Sequence, residues 1–411
     1  MSDNKKAPKH FSQRRDEDLK GTENPTVIKE EGVKVPPHSK GSLEKGSNAA
    51  EGRYEGVATQ DSLDTKKKWG KGKIVGIIVL VILLAVLGFA YAYINNINNQ
   101  ISIKDPIEKE ELSESLAKPE KTDTKSFYML VLGSDARPGE ATGRADVNIL
   151  CHIDPQNKVI ELISVPRDTA VNLPGHGMQK INAAYAFGGP SLAVDTMTEF
   201  AGVPITHYAE VRFTDVVKII DDLGGVEVNV PESFNEFGTA ISAGKQTLNG
   251  DQALAFARQR HQVRGGDFSR AQAQRIIMQA VINKVLKAPV SEIPALITRL
   301  AGMITTDMDV YQLTGLASDF QDGITMYSAA CPSYTFGKNG ISYVGTMYDE
   351  WKVMMQRVDA SLDPKDDKAV IPDDVKDNDK LGAATNGAGP RDYQQRAQHT
   401  LTTDDVLPEV H

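Results

Sequence analysis

The stretch FYMLVLGSDARPGEATGRADVNILCHIDPQNKVIELISVPRD, residues 127–168, decides the fold class of this chain. It contains three apolar runs, at 127–132, 145–153 and 159–165, separated by segments rich in Gly, Pro, Asp and Asn. In the second run apolar residues recur at every other position from Val147 to Ile153, which is the side-chain period of a β-strand. The stretch therefore predicts three consecutive strands.

The sequence after residue 168 continues the pattern with alternating strands and helices. Further strands are predicted at 206–211, 226–230 and 324–329, and helices at about 189–200, 213–222, 249–257, 268–287, 291–303 and 310–320. Strands interleaved with helices predict a layered α/β domain, which we place at residues 126–359. The sequence shows no internal repeat.

One membrane span is predicted before this domain. Residues 74–94, IVGIIVLVILLAVLGFAYAYI, are uncharged and long enough as a helix to cross a hydrocarbon core of about 30 Å. The preceding KKKWGKGK, residues 66–73, has five lysines and no acid, so the positive-inside rule predicts a cytoplasmic N-terminus and an extracytoplasmic domain. A cleaved signal peptide is disfavoured because 73 polar residues precede the span.

The segments around the span and the domain are predicted to lack a core of their own. Residues 1–73 are rich in Pro, Gly, Ser, Lys and Glu, and we expect a disordered cytoplasmic tail. Residues 95–125 are charged and predict a stalk that is in part helical. Residues 360–411, with PDDVKDNDK and GAATNGAGP, predict a disordered acidic C-terminal tail.

Composition excludes some classes of protein. The net charge of −9 over 411 residues argues against broad binding to nucleic acid phosphates. The two cysteines are too few for a disulfide-built scaffold or an all-cysteine zinc site. Cys151 and Cys331 are both predicted outside the membrane, so a disulfide between them is expected, with two small buried hydrophobic residues as the alternative.

The use of basic residues changes along the chain. The first 125 residues hold 18 Lys and 3 Arg, whereas residues 130–280 hold 9 Arg and 4 Lys. Arginine presents a planar fork that binds phosphate through two hydrogen bonds, while lysine suits solvated tails. The arginines predict a phosphate site, although any single one of them could pair with a surface carboxylate instead.

Two of the Arg and Asp clusters flank one loop. Asp135 and Arg137 follow the first strand, and Arg144 and Asp146 open the second. Mg²⁺ is commonly held by one or two carboxylates together with substrate phosphate oxygens, so the two aspartates are candidate metal ligands. The alternative is that they are ordinary turn and strand-edge residues.

Three further groups complete the candidate site. Arg167 and Asp168 follow the third strand, at the carboxyl end where open α/β sheets place ligands. Arg258 and Arg260 would share one face if the chain there is extended. On the long helix after Gly266, Arg270 and Gln274 extend the buried face toward the N-terminus, which favours anions. Asp267 is a candidate catalytic residue or a helix N-cap, and His207 and His261 are predicted to be structural.

These residues lie in strings that resemble a known family. In order, the strings are YMLVLGSDARPG, GRADVNILCHID, ISVPRD, KINAAYAFGG, HYAEVRF, LGGVEVNVPE, GKQTLNGDQALAFARQRH and GDFSRAQAQR. Over about residues 127–285 they are similar to the extracytoplasmic domain of the LytR-CpsA-Psr family. The resemblance implies a layered α/β/α domain with a central mixed sheet and a hydrophobic pocket for a lipid.

The resemblance also implies an activity and its site. It implies a membrane-anchored phosphotransferase of Gram-positive cell walls that moves a glycopolymer from a polyprenyl pyrophosphate carrier to peptidoglycan or another surface acceptor, with Mg²⁺, or Mn²⁺ in its place. By this resemblance Asp135 and Asp146 hold the metal, and Asp267 is nominated to act on the acceptor. The pyrophosphate of the lipid would be bound by Arg137, Arg144, Arg167, Arg258, Arg260, Arg270 and Gln274. The catalytic candidates are Asp267, Arg258, Arg260, Arg270 and Arg167.

Two other functions remain open from the sequence. A polyprenyl-pyrophosphate phosphatase would use the same residues with water as acceptor. A membrane-anchored regulator without catalysis would need a folded cytoplasmic domain, and the composition of residues 1–65 argues against one.

Overall fold

The computed structural model describes residues 71–118, 126–135, 143–236, 238–259, 265–393 and Leu407, with the backbone alone for 71–78 and 236. The predicted cytoplasmic tail, residues 1–73, therefore falls almost entirely outside the described residues. The helices of the described part are α1 (Lys71–Ile101), α2 (Pro106–Ser115), α3 (Ala183–Ala201), α4 (Phe213–Asp222), α5 (Gly250–Arg258), α6 (Asp267–Leu286), α7 (Ile293–Leu300), α8 (Val310–Asp319), α9 (Tyr348–Asp359) and α10 (Asp373–Lys376).

The strands form one larger sheet and several hairpins. They are β1 (Phe127–Ser134), β2 (Ala145–Asp154), β3 (Val159–Ser164), β4 (Ala170–Leu173), β5 (Gly177–Lys180), β6 (Ile205–Arg212), β7 (Val226–Val230), β8 (Phe234–Glu236), β9 (Thr239–Ile241), β10 (Gly244–Leu248), β11 (Ile304–Thr306), β12 (Thr325–Ala330), β13 (Ser333–Lys338) and β14 (Ile341–Thr346). The six-stranded sheet has the order β11-β6-β1-β2-β3-β12.

This sheet is mixed and is covered on both faces. β1 pairs in parallel with β6 and β3 with β12, whereas the pairs β1–β2, β2–β3 and β6–β11 are antiparallel. Alternation along β1 sends Leu130 and Leu132 to the core shared with α3 and α9, and Met129 to the core shared with α6 and α8. The predicted α/β/α architecture with a central mixed sheet is confirmed.

Helix α6 is held at the centre of the domain by contacts on more than one side. Ala273 and Ile277 pack toward β7 and α5, while Met278 and Ile282 pack toward the sheet. The preceding helix α5 begins with a capping box. The side chain of Asn249 accepts a hydrogen bond from the backbone N–H of Gln252, and the side chain of Gln252 accepts one from the backbone N–H of Asn249. The first turn of α6 lies at the edge of the sheet where the candidate site lies.

Helix α1 is the one helix of the described residues that is long and apolar enough to cross a membrane, over Val79–Ile101. Most of its apolar side chains are exposed in the structure, as Val79 and Phe89 show with exposures of 57% and 75%. Such an uncovered apolar surface on 23 residues suits a lipid environment rather than water. The helix extends seven residues beyond the predicted end of the span at residue 94.

The prediction of a separate stalk at 95–125 is wrong for the described residues 95–118. Ile97 and Ile101 are buried against Val310 of α8, and the side chain of Asn98 accepts a hydrogen bond of 3.0 Å from the backbone of Val310. Leu112 of α2 is buried in the core beside α3. The physical reason is that Ile97 and Ile101, four residues apart, lie on one face of α1, and that Leu112 alone anchors α2, although the segment as a whole is polar.

The prediction of a disordered tail at 360–411 is wrong for residues 360–393. Within this segment Leu381, Ala384 and Tyr393 are buried in the main core. Gly202, at the end of α3 with φ +69°, leaves room for the segment, because a Cβ there would collide with the carbonyl oxygen of Lys380. Leu407 is also buried, against α6. The apolar residues stand singly among polar ones, so no periodic pattern marks them in the sequence.

A substitution within this segment tests its contribution to stability. Leu381 is 2% exposed, and Leu381→Ala is expected to lower the free energy of unfolding by about 2–5 kcal/mol because it removes buried methyl groups and leaves a cavity. Val370, in the same segment, is 84% exposed, so Val370→Ala is expected to change it by less than about 0.5 kcal/mol. Urea denaturation of the full chain in detergent measures both. Equal midpoints for the two variants would contradict the packing of this segment.

The expected disulfide between Cys151 and Cys331 is wrong: both are free and buried. Cys151 of β2 lies in the core on the α6 and α8 side of the sheet. Cys331, which follows β12, lies in the core on the α3 and α9 side. The sheet separates the two sulfur atoms, and each side chain fills its own core as a small hydrophobic residue.

A buried acid–base pair links β2 and β3. His152 Nδ1 and Glu161 Oε2 are 2.6 Å apart, and both side chains are inaccessible to solvent. Burial raises the pKa of Glu161 to about 10 and lowers the pKa of His152 to about 4. Both shifts favour the neutral forms, so Glu161 keeps its proton at neutral pH and donates it in a hydrogen bond to Nδ1 of His152.

This pair gives the fold a pH dependence that one substitution removes. In the unfolded chain Glu161 ionises near its ordinary value of 4.5, whereas the folded chain keeps the proton until about pH 10. Its contribution to stability is therefore complete below pH 4.5 and is lost as the pH rises toward 10. Between pH 7 and 10 the free energy of unfolding of wild type should fall more steeply than that of Glu161→Gln, by up to about 1.4 kcal/mol per pH unit. Parallel pH profiles would contradict this assignment.

Candidate functional site

A polar cavity of about 300 Å³ lies at one edge of the central sheet. Because β2 is antiparallel to both β1 and β3, the end of β1, the start of β2 and the end of β3 meet at this edge. The start of α6 and the hairpin β13–β14 close the cavity from two other sides. The predicted site segments therefore converge on one opening, as the strand directions require.

Four charged side chains form a continuous row in this cavity. Asp146 Oδ2 lies 3.1 Å from Arg167 Nη1, and Arg167 Nη2 lies 3.6 Å from Asp267 Oδ2. The same oxygen of Asp267 lies 3.3 Å from Arg270 Nη2. The row joins residues from β2, from the loop after β3 and from α6, which are separated by up to 124 positions in sequence (146 to 270). Signs alternate along the row, and both arginines line the cavity.

Arg167 is partly enclosed in this row, with a side chain that is 25% exposed. Burial lowers the pKa of Arg167, but the carboxylates of Asp146 and Asp267 raise it by more, so the side chain stays charged. Its Nε atom is buried and has no hydrogen-bond partner among the described residues. A buried donor without an acceptor is costly, and an anion entering the cavity would supply one.

Gln274 marks the boundary between polar and apolar space. Its side chain lines the polar cavity together with Arg270, as the helical spacing of four predicts. It also lines the neighbouring apolar cavity with Met278 and Val281, and donates a hydrogen bond of 3.3 Å to the carbonyl oxygen of Ala257. Arg270 and Gln274 are half-buried, whereas the buried residues in the first turns of α6 are Ser269, Gln272, Ala273 and Arg275.

Asp135 and Arg144 face each other across the end of the β1–β2 ladder. The backbone N–H of Arg144 donates to Asp135 Oδ1 at 2.6 Å, and the backbone N–H of Asp135 donates to the carbonyl oxygen of Arg144 at 3.2 Å. Asp146 lies two positions further along β2 and accepts a hydrogen bond of 3.4 Å from Asn182. The two candidate metal ligands thus occupy the same edge of the sheet.

Of the described residues predicted to bind metal or pyrophosphate, Asp135, Arg144 and Arg258 do not line the cavity. Arg258 is exposed at the end of α5, with its guanidinium 5.8 Å from the centre of the Phe213 ring. Phe213 lines the apolar cavity rather than the polar one. Arg137 and Arg260 lie outside the described residues. Their predicted contacts with pyrophosphate stay predictions.

Two alternatives from the sequence can be decided. The N-cap of α6 is Gly266, and Asp267 is the first helical residue with its carboxylate directed to the arginines, so Asp267 is not the capping residue. His207 lies 2.7 Å from Asp307, away from the polar cavity, in keeping with the structural role predicted for it. His261 lies outside the described residues.

Sequence reasoning missed Arg275, which is fully buried behind the cavity. Its Nε donates to the hydroxyl of Ser328 at 2.8 Å, and its Nη1 donates to the hydroxyl of Ser164, which lines the cavity. The signal was present, since Arg275 closes the string GDFSRAQAQR. The hairpin residue Tyr343, which walls the opposite side of the cavity, had no signal in the sequence.

Two apolar cavities lie next to the polar one. The first, of about 160 Å³, shares Val147 and Gln274 with the polar cavity. The second, of about 330 Å³, lies between the sheet and α6, α7 and α8 and reaches Ile101 at the end of α1. The two apolar cavities share five lining residues, so we treat them as one apolar channel: Val131, Ile219, Met278, Val281 and Ile304.

Known proteins with similar sequence or structure point to one family. Over 294 residues the chain is 30% identical to the polyisoprenyl-teichoic acid–peptidoglycan teichoic acid transferase TagU of Enterococcus faecalis, covering 70% of this chain and 96% of that protein. It is 38% identical over 217 residues to the protein of the same name from Bacillus mycoides, covering 51% and 69%. The crystal structure of B. subtilis TagT superposes with a TM-score of 0.52 at 25% identity, covering 64% of this chain and 99% of that one.

The sequence model of the LytR_cpsA_psr family matches residues 90–359. The match begins within α1 and ends with α9, so it includes the strands and helices that form the polar cavity and the apolar channel. The resemblance drawn from the sequence strings is thereby confirmed, and the chain belongs to the LytR-CpsA-Psr family.

Proposed function

We propose that this chain is a membrane-anchored phosphotransferase that moves an anionic glycopolymer from a polyprenyl pyrophosphate carrier to peptidoglycan. The observation that carries the proposal is that an arginine-lined polar cavity shares Val147 and Gln274 with an adjacent apolar channel, which extends to Ile101 at the end of α1. A ligand with a charged head and a long apolar chain matches both parts. The names of the relatives, which specify a polyisoprenyl-linked teichoic acid and peptidoglycan, support the same donor and acceptor classes.

The polar cavity supplies the features that a pyrophosphate needs. Arg167 and Arg270 offer permanently charged nitrogens, and the buried Nε of Arg167 offers a further donor. Breaking a phosphoanhydride bond increases negative charge on the departing phosphate, and prearranged guanidinium groups stabilise that charge in the transition state. The protein then has no need for a covalent intermediate.

The transfer step needs two substrates, the lipid-linked donor and the acceptor, and one base. An acceptor sugar hydroxyl attacks the phosphorus on the glycan side, a phosphodiester forms, the anhydride bond breaks and polyprenyl monophosphate leaves. Asp267 is the candidate to orient that hydroxyl and to take its proton, because its carboxylate lies at the cavity and is 43% exposed. Its ion pairs with Arg167 and Arg270 fix it close to the bound phosphates.

The donor set at the cavity edge fits a divalent cation that substrate completes. Among the described residues there is no cluster of three or more His, Cys, Asp or Glu that would form a complete cage. Asp135 and Asp146 supply two carboxylates at one edge of the sheet, and Mg²⁺ characteristically combines one or two carboxylates with phosphate oxygens and water. Bound there, Mg²⁺ or Mn²⁺ would neutralise charge on the pyrophosphate.

The metal assignment predicts the effect of one neutral substitution. Asp135→Asn is expected to weaken Mn²⁺ binding in the presence of inorganic pyrophosphate at least tenfold, because an amide oxygen is a poorer ligand for a hard cation than a carboxylate. Loss of the free Mn²⁺ signal in electron paramagnetic resonance measures binding to the full chain in detergent. Asp322→Asn, an exposed change outside the cavity lining, is the control. Equal Mn²⁺ affinity for both variants would contradict the assignment.

The membrane arrangement follows from α1 and its flanks. We propose a single span with the lysine-rich segment 66–73 in the cytoplasm and the α/β/α domain outside. The last turns of α1 pack on the domain through Ile97 and Ile101. The mouth of the apolar channel at Ile101 would therefore lie close to the membrane, where a polyprenyl chain can enter.

A phosphatase is the second candidate function. The observation that favours it is the partial exposure of Asp267, which would let water occupy the place of the acceptor hydroxyl. Product analysis separates the two functions. The full chain in detergent is incubated with a polyprenyl pyrophosphate-linked glycopolymer, Mg²⁺ and peptidoglycan. Transferase activity gives polymer covalently attached to peptidoglycan together with polyprenyl monophosphate, whereas free polymer phosphate as the sole product would overturn the proposal.

A further inference from the structure

One half-buried carboxylate on β6, that of Glu210, accepts hydrogen bonds from hydroxyl groups of three elements. Tyr185 of α3 donates to Glu210 Oε1 at 2.9 Å, and Tyr208 of β6 donates to Glu210 Oε2 at 2.6 Å. The hydroxyl of Ser134, the last residue of β1, also donates to Oε1. Burial together with Glu210 raises the pKa of both tyrosines, so both keep their donor hydrogens.

Ser134 lies at an irregularity of the β1–β2 ladder. Gly133 pairs with Val147, but the next pair is Ser134 with Ala145, so Asp146 is the extra residue of a bulge. Ser134 is fully buried and is followed directly by Asp135. The position of Ser134 therefore affects both carboxylates: Asp146 leaves the ladder next to the pair that Ser134 forms, and Asp135 follows Ser134 directly in the chain.

We propose that Glu210 is a positioning residue that acts through Ser134 to hold Asp135 and Asp146 in place for the divalent cation. The proposal rests on the metal assignment given under the proposed function. Glu210 does not line the polar cavity and so acts without touching substrate. Groups that orient metal ligands in this way typically change metal affinity by 10- to 100-fold when they are removed.

Two variants that each remove one hydroxyl from the same oxygen separate positioning from general stability. Ser134→Ala removes the donor at the bulge, and Tyr185→Phe removes the donor on α3. Both delete a hydrogen bond to Glu210 Oε1, but only Ser134 is joined to the bulge. We expect Ser134→Ala to weaken Mn²⁺ binding at least tenfold and Tyr185→Phe to stay within twofold of wild type.

The measurement uses the full chain in detergent with inorganic pyrophosphate present and follows the free Mn²⁺ signal by electron paramagnetic resonance. Thermal unfolding checks that both variants fold. Wild-type affinity in a folded Ser134→Ala, or an equal loss in Tyr185→Phe, would overturn the positioning role, while a weakened Asp135→Asn in the same assay would show that the metal assignment stands. Unchanged affinity in Asp135→Asn as well would overturn both.

Discussion

Arg167→Lys is expected to lower the rate of polymer transfer by about 100- to 1,000-fold while the domain stays folded. Arg167 pairs through two different nitrogens with Asp146 and Asp267, at 3.1 and 3.6 Å, and its Nε is buried without a hydrogen-bond partner among the described residues. Lysine carries one nitrogen and cannot make this planar set of contacts. The loss should appear mainly in kcat, because the guanidinium is placed to stabilise charge that develops as the anhydride breaks.

The control for this substitution is Arg299→Lys. Arg299 is on α7 and its Nη1 lies 3.4 Å from the carbonyl oxygen of Asp222, outside the cavity lining. It should leave the rate within twofold of wild type. Transfer rates of purified full-length proteins with a lipid-linked donor, compared at equal thermal stability, check the prediction. A near-native rate for Arg167→Lys would show that the Arg167 guanidinium does not stabilise the transition state.

Ala209→Trp is expected to abolish the use of long polyprenyl donors while sparing short ones. Ala209 on β6 lines the larger part of the apolar channel, which reaches Ile101, and does not line the part that adjoins the polar cavity. An indole ring there would fill much of this volume of about 330 Å³ and block a long chain, yet leave room for a short isoprenoid chain near Gln274. We expect a loss of at least 100-fold with the long donor and less than fivefold with the short one.

A matched substitution controls for the bulk of tryptophan. Ala240 of β9 is exposed, so Ala240→Trp should affect neither donor. Rates with donors of both lengths, measured for the two variants and wild type, give the comparison. An equal loss with short and long donors in Ala209→Trp would show that the channel does not hold the lipid.

Strands and most helices could be predicted because their patterns are local. The period of two in 145–153 predicted β2 to within one residue, and 226–230 and 213–222 coincide with β7 and α4. Helix α3 was predicted six residues short at its start. Gly188, Gly189 and Pro190 look like a helix break, and they do produce non-helical angles, but the helix resumes beyond the kink.

The site could be predicted only in part, because two of its walls come from distant segments. The Arg and Asp pairs at strand ends, together with the helical spacing of Arg270 and Gln274, predicted a site at the carboxyl ends of β1 and β3, where the polar cavity lies. The hairpin β13–β14 carries no charged motif, so neither its presence nor the position of Tyr343 follows from local pattern. Arg275 was not predicted because the sequence does not show that its guanidinium donates hydrogen bonds to two serine hydroxyls in the core.

In the proposed transfer a sugar hydroxyl, and not water, attacks the phosphorus next to the glycan. The full chain can be incubated with lipid-linked polymer and peptidoglycan in ¹⁸O-labelled water, and the phosphate-bearing products analysed by mass spectrometry. We expect the phosphodiester joining polymer to peptidoglycan to be the main product and to carry no ¹⁸O. Polymer that carries ¹⁸O in a terminal phosphate as the main product would show hydrolysis and would rule out transfer.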